Sequence, residues 1–247
     1  MPATADILDS LGRIAREWRW IAIGWHAAAA IAATVLLIKR PSRGQRVPAI
    51  VVALPLVSVT ALAWWSGNPF NGTIFTVLTV ALVLEAGRLE DRPLHSASPA
   101  SVAAGSILVI FGLVYPHFLP DGSQWSYLYA APFGLIPCPT LSVVTGASLA
   151  AGVFGSRAWG FTLGVVALAY GVIGVVVLGV AIDAVLFAGA VLLLAAAALL
   201  RRRLHSGRPP AGRDDQHRAA RLADDVLRGR TKERKVEGIS AVHAEHD

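Results

Sequence analysis

Apolar segments of membrane-crossing length follow one another through most of this chain, and no other feature restricts its fold as strongly. A helix needs about 20 residues to cross the hydrocarbon of a bilayer at about 1.5 Å rise per residue. Residues 19–200 consist almost wholly of such segments, separated by short links. The sequence therefore predicts an all-α, polytopic transmembrane bundle of about seven spans. The predicted spans are residues 20–38, 48–65, 70–87, 101–119, 139–154, 158–177 and 179–200.

Composition and charge support a membrane protein and exclude several other classes. The 247 residues are 55% hydrophobic and 15% charged, which is not the composition of a soluble protein. The single cysteine excludes both a disulfide framework and a multi-cysteine zinc site. The net charge of +6 comes from arginines that flank the spans, so we expect no nucleic-acid partner.

Basic residues are confined to alternate links, and this pattern predicts the orientation. Cytoplasmic links of inner-membrane proteins carry an excess of lysine and arginine. With seven spans, the pattern places the N-terminus outside and the C-terminus in the cytoplasm; Arg13, Arg16 and Arg19 are the exception. The basic residues of the links are Lys39, Arg40, Arg43, Arg46, Arg88, Arg92, Arg157, Arg201, Arg202, Arg203 and Arg208.

Three regions are predicted along the chain. Residues 1–18 repeat apolar side chains at helical spacing, which is typical of an amphipathic helix lying in the membrane interface. Residues 19–200 form the transmembrane bundle. Residues 201–247 form a basic cytoplasmic tail, predicted to be largely disordered, whose first arginines lie among anionic lipid headgroups. A cytoplasmic protein partner for the tail and a homo-oligomer both stay open.

The sequence IPCPT at residues 136–140 predicts a break in the fifth span. A residue before proline avoids the helical conformation, whereas proline itself suits the first position of a helix. We therefore predict that the helix starts at Pro139, with Cys138 as its cap. A helix over 139–154 is about 24 Å long, shorter than the hydrocarbon core of about 30 Å.

The preceding apolar stretch, residues 127–137, has two interpretations that the sequence leaves open. It enters the bilayer as irregular backbone, which requires that protein groups satisfy its polar atoms. Alternatively, it lies along the outer interface, which favours aromatic residues such as Trp125, Tyr127 and Tyr129. In the first case the break resembles those that place helix ends at transport sites, and the helix dipole at Cys138 favours a thiolate.

Ionisable residues inside the spans are few, and intramembrane ionisable groups are functional-site hypotheses. Asp183 opens the last span on the same side as Cys138 and His117, although a helix cap also explains it. Glu85 is explained by an ion pair with Arg88, and His26 by a hydrogen bond within the bundle. The predicted substrate or ion site consists of Cys138, Pro137, Pro139, Thr140, Asp183 and His117, with no catalytic, cofactor or metal residues assigned.

The segments APFGLIPCPTLSVVTGASL, WWSGNPFNGTIFTVLTVALVLEAG and GVAIDAVLFAGAVLLLAAAAL give the chain a resemblance to a known group of sequences. It resembles an uncharacterised family of bacterial multi-pass membrane proteins with a PCPT motif, over about residues 5–200. Pro137 to Thr140 carry the motif, and Asn68, Pro69 and Asp183 are supporting matches. The tryptophan-proline pair that the family tends to carry before the first span is missing here. The resemblance implies a membrane protein and implies no reaction.

Three functions follow from the architecture. The first is a small transporter or permease whose site lies where the broken helix meets Asp183. The second is a non-catalytic scaffold or regulator that acts through its tail. The third, less favoured, is a redox or metal-dependent membrane enzyme that uses Cys138. No motif for hydrolysis, phosphate binding or a cofactor is present in the sequence, so enzymatic activity is not the preferred interpretation.

Overall fold

The computed structural model describes residues 4–38, 44–89, 97–118 and 124–206, and this part of the chain contains helices and no strand. The predicted helical class is confirmed. By its internal contacts the chain divides into two units, Met1–Arg201 and Arg202–Asp247, and the helical bundle is the first of them. Residues 207–247 of the predicted tail lie outside the described residues. The α-helices of the described ranges are α1 (Thr4–Glu17), α2 (Arg19–Ile38), α3 (Arg46–Trp65), α4 (Pro69–Arg88), α5 (Pro99–Val114), α6 (Tyr127–Ala130), α7 (Pro137–Ala150), α8 (Arg157–Val172) and α9 (Ala184–Ser206).

Four helices within the described ranges are long and apolar enough to cross a membrane, fewer than the seven predicted. They are Arg46–Trp65, Pro69–Arg88, Arg157–Val177 and Ala181–Leu200; the third joins α8 to a wider helical turn, and the fourth joins a tight turn to α9. Of the other predicted spans, α5 has 16 residues and α7 has 14, too few to cross alone. α2 ends at the border of a described range and is not among the four. The four apolar helices indicate a membrane-embedded protein.

Local sequence signals explain why several helices begin where they do. Before α4, the Asn68 side chain accepts a hydrogen bond from the Asn71 backbone N–H at 3.0 Å, and Pro69 occupies the first helical position. Ser98 and Ser156 accept equivalent bonds at the starts of α5 and α8. Such caps satisfy backbone N–H groups that have no partner within the helix. The predicted starts of these spans are accordingly close to the observed ones.

α7 is the central helix of the bundle rather than a lipid-facing span. Ten of its 14 residues are buried, and none is exposed. By contrast, α4 exposes Val77, Val80 and Leu84, as expected of a helix that contacts lipid. Because α7 is enclosed by neighbouring helices, it does not need the length of a span. The span predicted over residues 139–154 is therefore a shorter helix inside the protein.

Glycines allow α5 and α7 to pack very closely. A Cβ atom built at Gly146 of α7 would lie 2.5 Å from the carbonyl oxygen of Gly105, and one built at Gly112 would lie 2.6 Å from that of Pro139. A second pair of glycines, Gly160 and Gly164 of a GxxxG pattern, serves close packing between α8 and α9. A Cβ at Gly160 would meet Ala197 at 2.7 Å, and one at Gly164 would meet Leu194 at 2.8 Å.

The start of α7 differs by two residues from the prediction. The helix begins at Pro137, with Ile136 in an extended conformation as its cap, so both prolines and Cys138 lie in the first turn. The first N–H groups of a helix have no internal partner, and two prolines that lack N–H groups therefore cost no hydrogen bond there. The expectation that Cys138 caps a helix starting at Pro139 is wrong.

The chain is interrupted before α7, but the break lies N-terminal to the proline pair. α6 ends at Ala130, and residues 131–136 form buried bends and turns up to Pro137. Trp125, Leu128 and Tyr129 are exposed, whereas Phe133 and Leu135 are buried, so the chain runs inwards along this stretch. The segment is irregular backbone buried inside the protein, and its depth in a bilayer stays a prediction.

Protein groups satisfy the polar backbone of this buried segment. The Thr140 hydroxyl accepts a hydrogen bond from the Gly134 N–H at 2.9 Å and donates one to the Ile136 carbonyl at 2.8 Å. Ser58 donates to the Gly134 carbonyl and accepts from the Trp25 indole N–H. Gly134 has φ +77°, and a Cβ there would lie 2.2 Å from the Trp25 ring, so only glycine fits.

The N-terminal region forms the predicted amphipathic helix, α1. Its buried residues are Gly12, Ile14 and Ala15, and Ile14 belongs to an apolar cluster with Leu135 and Ile136. Its opposite face is exposed. α1 therefore lies against the irregular segment before α7, whereas its predicted position in the interface stays a prediction.

Candidate functional site

A cavity of about 830 Å³ opens at one end of the bundle, beneath α1. The α3–α4 link, the ends of α5 and α8, and the starts of α4 and α7 form its walls. We call this the cavity end; the links that meet there carry no lysine or arginine. Most of the lining is apolar. Its buried wall is formed by Tyr115, Ile136, Pro137, Tyr170 and Asp183, with the partly buried Cys138 among them.

Asp183 and Tyr115 form the polar centre of this wall. The Tyr115 hydroxyl donates a hydrogen bond of 2.7 Å to Oδ1 of Asp183, and both residues are 1% exposed. The Cys138 thiol is close enough to interact with the same carboxyl group. Gly174 gives the carboxylate its space, because a Cβ there would lie 2.0 Å from Oδ2. Asp183 thus bonds to a tyrosine at the end of α5. A helix cap, the alternative role considered from the sequence, does not explain this contact.

A second polar pair lies across the cavity. The Tyr170 hydroxyl donates a hydrogen bond of 2.7 Å to Oδ1 of Asn71, and both residues line the cavity. The pair connects the end of α8 to the first turn of α4. It lies beside the link in which Asn68 caps α4.

The structure brings together three of the six predicted site residues. Pro137, Cys138 and Asp183 line the cavity. Pro139 and Thr140 do not: the Pro139 carbonyl packs against Gly112 of α5, and the Thr140 hydroxyl supports the buried turn.

His117 lies outside the cavity lining but near its wall. Its ring packs edge-on against Phe118 at 4.2 Å and against Tyr115 at 6.4 Å between ring centroids. It is near enough to act electrostatically on Asp183. His117 is therefore a neighbour of the site and not a part of its wall.

Sequence reasoning missed Tyr115, Tyr170, Asn71 and the α1 residues of the lining. A tyrosine near the end of an apolar segment ordinarily indicates a membrane interface, so the sequence carries no signal for the contact between Tyr115 and Asp183. The remaining ionisable residues have the structural roles predicted. Arg88 donates to Glu85 at 2.7 Å, and His26 lies 2.8 Å from the carbonyl oxygens of Ala22 and Leu113.

Among the residues that the structure describes, the surroundings of Cys138 lend no support to the metal or thiolate chemistry considered from the sequence. No group of three His, Cys, Asp or Glu side chains capable of holding a metal occurs among the described residues. Cys138 is free, and its neighbour is the carboxyl group of Asp183 rather than a cation. Two negative charges in contact repel each other, so the wall does not favour a thiolate, contrary to the expectation from the helix dipole.

Replacing Tyr115 with phenylalanine tests the polar centre. The change keeps the ring and removes the donor to a buried carboxylate, so we expect a loss of about 2 kcal/mol in unfolding free energy. Thermal unfolding of the full chain in detergent measures it. Tyr170→Phe is the matched control, since its partner Asn71 is neutral, and we expect a smaller loss. Equal losses of unfolding free energy in both variants would show that the hydrogen bond to the Asp183 carboxyl group stabilises the protein no more than one to a neutral amide.

Comparison with family models, curated proteins and solved structures gave no match to this chain.

Proposed function

We propose that this protein is a small permease-like membrane protein that takes a small molecule into the cavity at Cys138 and Asp183. The observation that carries the proposal is the cavity of about 830 Å³, whose buried wall includes Cys138 and Asp183. Ligand sites in proteins are typically apolar cavities of about 300–1,000 Å³ with a few precisely placed polar groups. This cavity has that size and composition.

The irregular segment before α7 supports transport rather than a purely structural role. Transporters commonly place their sites where a helix is interrupted inside the membrane. Here Ile136, Pro137 and Cys138, at the junction of buried turn and helix, line the cavity. A redox or metal-dependent enzyme that uses Cys138 has less support, because the neighbour of the thiol is the carboxyl group of Asp183. A scaffold that acts through its tail stays a competing hypothesis.

The proposal also specifies the number of membrane passes and the side of the membrane on which each end of the bundle lies. In it, the buried segment 131–136 and α7 together complete one pass, and α2 and α5 with its flanking residues contribute two more, which with the four long helices makes seven passes. The described basic residues Arg46 and Arg157 bond the carbonyls of Gly87 and Ala197, away from the cavity end. We place that basic end in the cytoplasm of a bacterial cell and the cavity end outside the inner membrane, as the charge pattern predicts. Membership of the PCPT family remains part of this proposal.

Labelling of the lone cysteine tests the proposal. A permease exposes its site alternately to the two sides of the membrane. We therefore expect a membrane-impermeant maleimide to modify Cys138 both in intact cells and, more slowly, in inside-out vesicles, without unfolding. Cys138 is partly buried and lines the cavity, so the reagent has access to it. Mass spectrometry of the intact protein measures the modified fraction.

Two single-cysteine controls calibrate sidedness, each built on Cys138→Ser. Pro116→Cys lies in the exposed link that follows α5 at the cavity end, outside the cavity lining, and Ala100→Cys lies in the exposed first turn of α5 at the other end. Each control should be modified from one side only. Modification of Cys138 from a single side, or only after unfolding, would contradict a permease. Deletion of residues 205–247 should leave the labelling pattern unchanged, whereas a scaffold that acts through its tail would lose its phenotype.

A further inference from the structure

We infer that the cavity selects a small organic cation, an ammonium group on an apolar body. The inference rests on the proposed function for the site and names the class of its substrate. It comes from the sign of the charge at Asp183 and from the aromatic rings of the lining, and the proposed function depends on neither.

The buried wall of the cavity carries a carboxylate, and the lining supplies no cation to neutralise it. Asp183 is 1% exposed, and the described residues that line the cavity include no lysine, arginine or histidine. Tyr115 donates a hydrogen bond to this carboxyl group and the Cys138 thiol is its neighbour, but neither side chain brings a positive charge. His117 acts on it only electrostatically, from outside the lining. A buried ion is stable when it is paired, so a cation is the complementary ligand.

Aromatic rings provide a second, independent preference for a cation. Phe70, Tyr115, Phe118 and Tyr170 line the cavity. The faces of aromatic rings attract cations, most strongly where water is excluded, and quaternary or primary ammonium groups use such sites. Phe118 stacks nearly parallel to Tyr115, with ring centroids 6.4 Å apart, next to the carboxylate.

The remaining surface determines the rest of the ligand. Ile7 and Leu11 of α1 line the cavity together with Ile173 and Val177 of the wider helical turn that continues α8. Burial of an apolar group against such a surface makes binding more favourable. The ligand therefore combines a cationic head that reaches Asp183 with an apolar body that contacts α1 and α8.

Fluorescence binding to the full-length protein in lipid nanodiscs tests the inference. The probe is dansylcadaverine, which joins a dansyl group to a primary ammonium, and the comparison ligand is its N-acetylated, uncharged form. We expect the ammonium probe to bind about 10- to 100-fold more tightly, the contribution of a charge-assisted contact. Asp183→Asn should abolish this difference. Glu85→Gln, a carboxylate paired with Arg88, is the matched control and should leave it intact.

A second measurement needs no variant, which matters if Asp183→Asn does not fold. The ammonium probe should slow modification of Cys138 by N-ethylmaleimide in the unaltered protein, at concentrations at which the acetylated form does not. Equal binding, or equal protection of Cys138, by the ammonium probe and its acetylated form would contradict selection of a cation and would not affect the permease proposal. One-sided labelling of Cys138 together with selective binding of the ammonium probe would overturn the permease and leave a cation-binding site.

Discussion

Gly146→Ala is expected to lower the unfolding free energy by about 3 kcal/mol, the upper range for forcing extra atoms into a packed core. The new Cβ would lie 2.5 Å from the Gly105 carbonyl oxygen and 2.8 Å from the Val109 backbone nitrogen. These are backbone atoms of α5 and cannot rotate away. The two helices must separate, and α7 is the helix around which the bundle packs.

Gly87→Ala is the matched control for this prediction. Gly87 lies in α4, and a Cβ there would meet nothing within 4 Å. Because alanine favours the helix by about 1 kcal/mol relative to glycine, this variant should be unchanged or more stable. Thermal unfolding in one detergent compares the two variants. A similar small effect in both would contradict the close contact between α5 and α7.

Thr140→Val is expected to lower the unfolding free energy by about 3 kcal/mol, because valine keeps the shape of threonine and removes two buried hydrogen bonds. The Gly134 N–H and the Ile136 carbonyl would then lose their bonds to this hydroxyl inside the protein. Ile136 lines the cavity next to Cys138, so the damage should reach the site. We therefore also expect N-ethylmaleimide to modify Cys138 several times faster in the folded variant.

Thr60→Val provides the comparison. Thr60 is half-buried, and its hydroxyl donates to the Leu56 carbonyl one helical turn earlier, whose helical bond persists without it. Its replacement should cost less than about 0.5 kcal/mol and leave the reactivity of Cys138 unchanged. If Thr140→Val behaved in the same way, the threonine of the PCPT motif would have no special role in holding the turn.

The motif illustrates how far sequence reasoning reaches. Two prolines around Cys138 predicted an interruption, and the chain is interrupted. The rule that residues before proline avoid the helix placed the start at Pro139, yet the helix begins at Pro137. The rule describes an average preference, and in the first turn of a helix neither proline loses a hydrogen bond, so packing decided the boundary.

The number and length of the spans illustrate a different limit. Apolar composition identifies a segment that avoids water, but lipid and a protein core are equally apolar. α4 and α7 are therefore alike in composition, although α4 exposes valines and α7 exposes no residue. Only the neighbours of α7 distinguish the two environments, and those neighbours are far away in the sequence.

By itself, the sequence determined the helical class, the ends of the long helices and the amphipathic start of the chain, because caps, charges and apolar period act over a few residues. The tertiary structure decided that α7 lies in the core, that residues 131–136 turn inside the protein, and that Tyr115 meets Asp183. The last contact joins residues 68 positions apart and requires the absence of a side chain at Gly174. Contacts of this kind depend on how helices pack in three dimensions, which the local pattern of one segment does not contain.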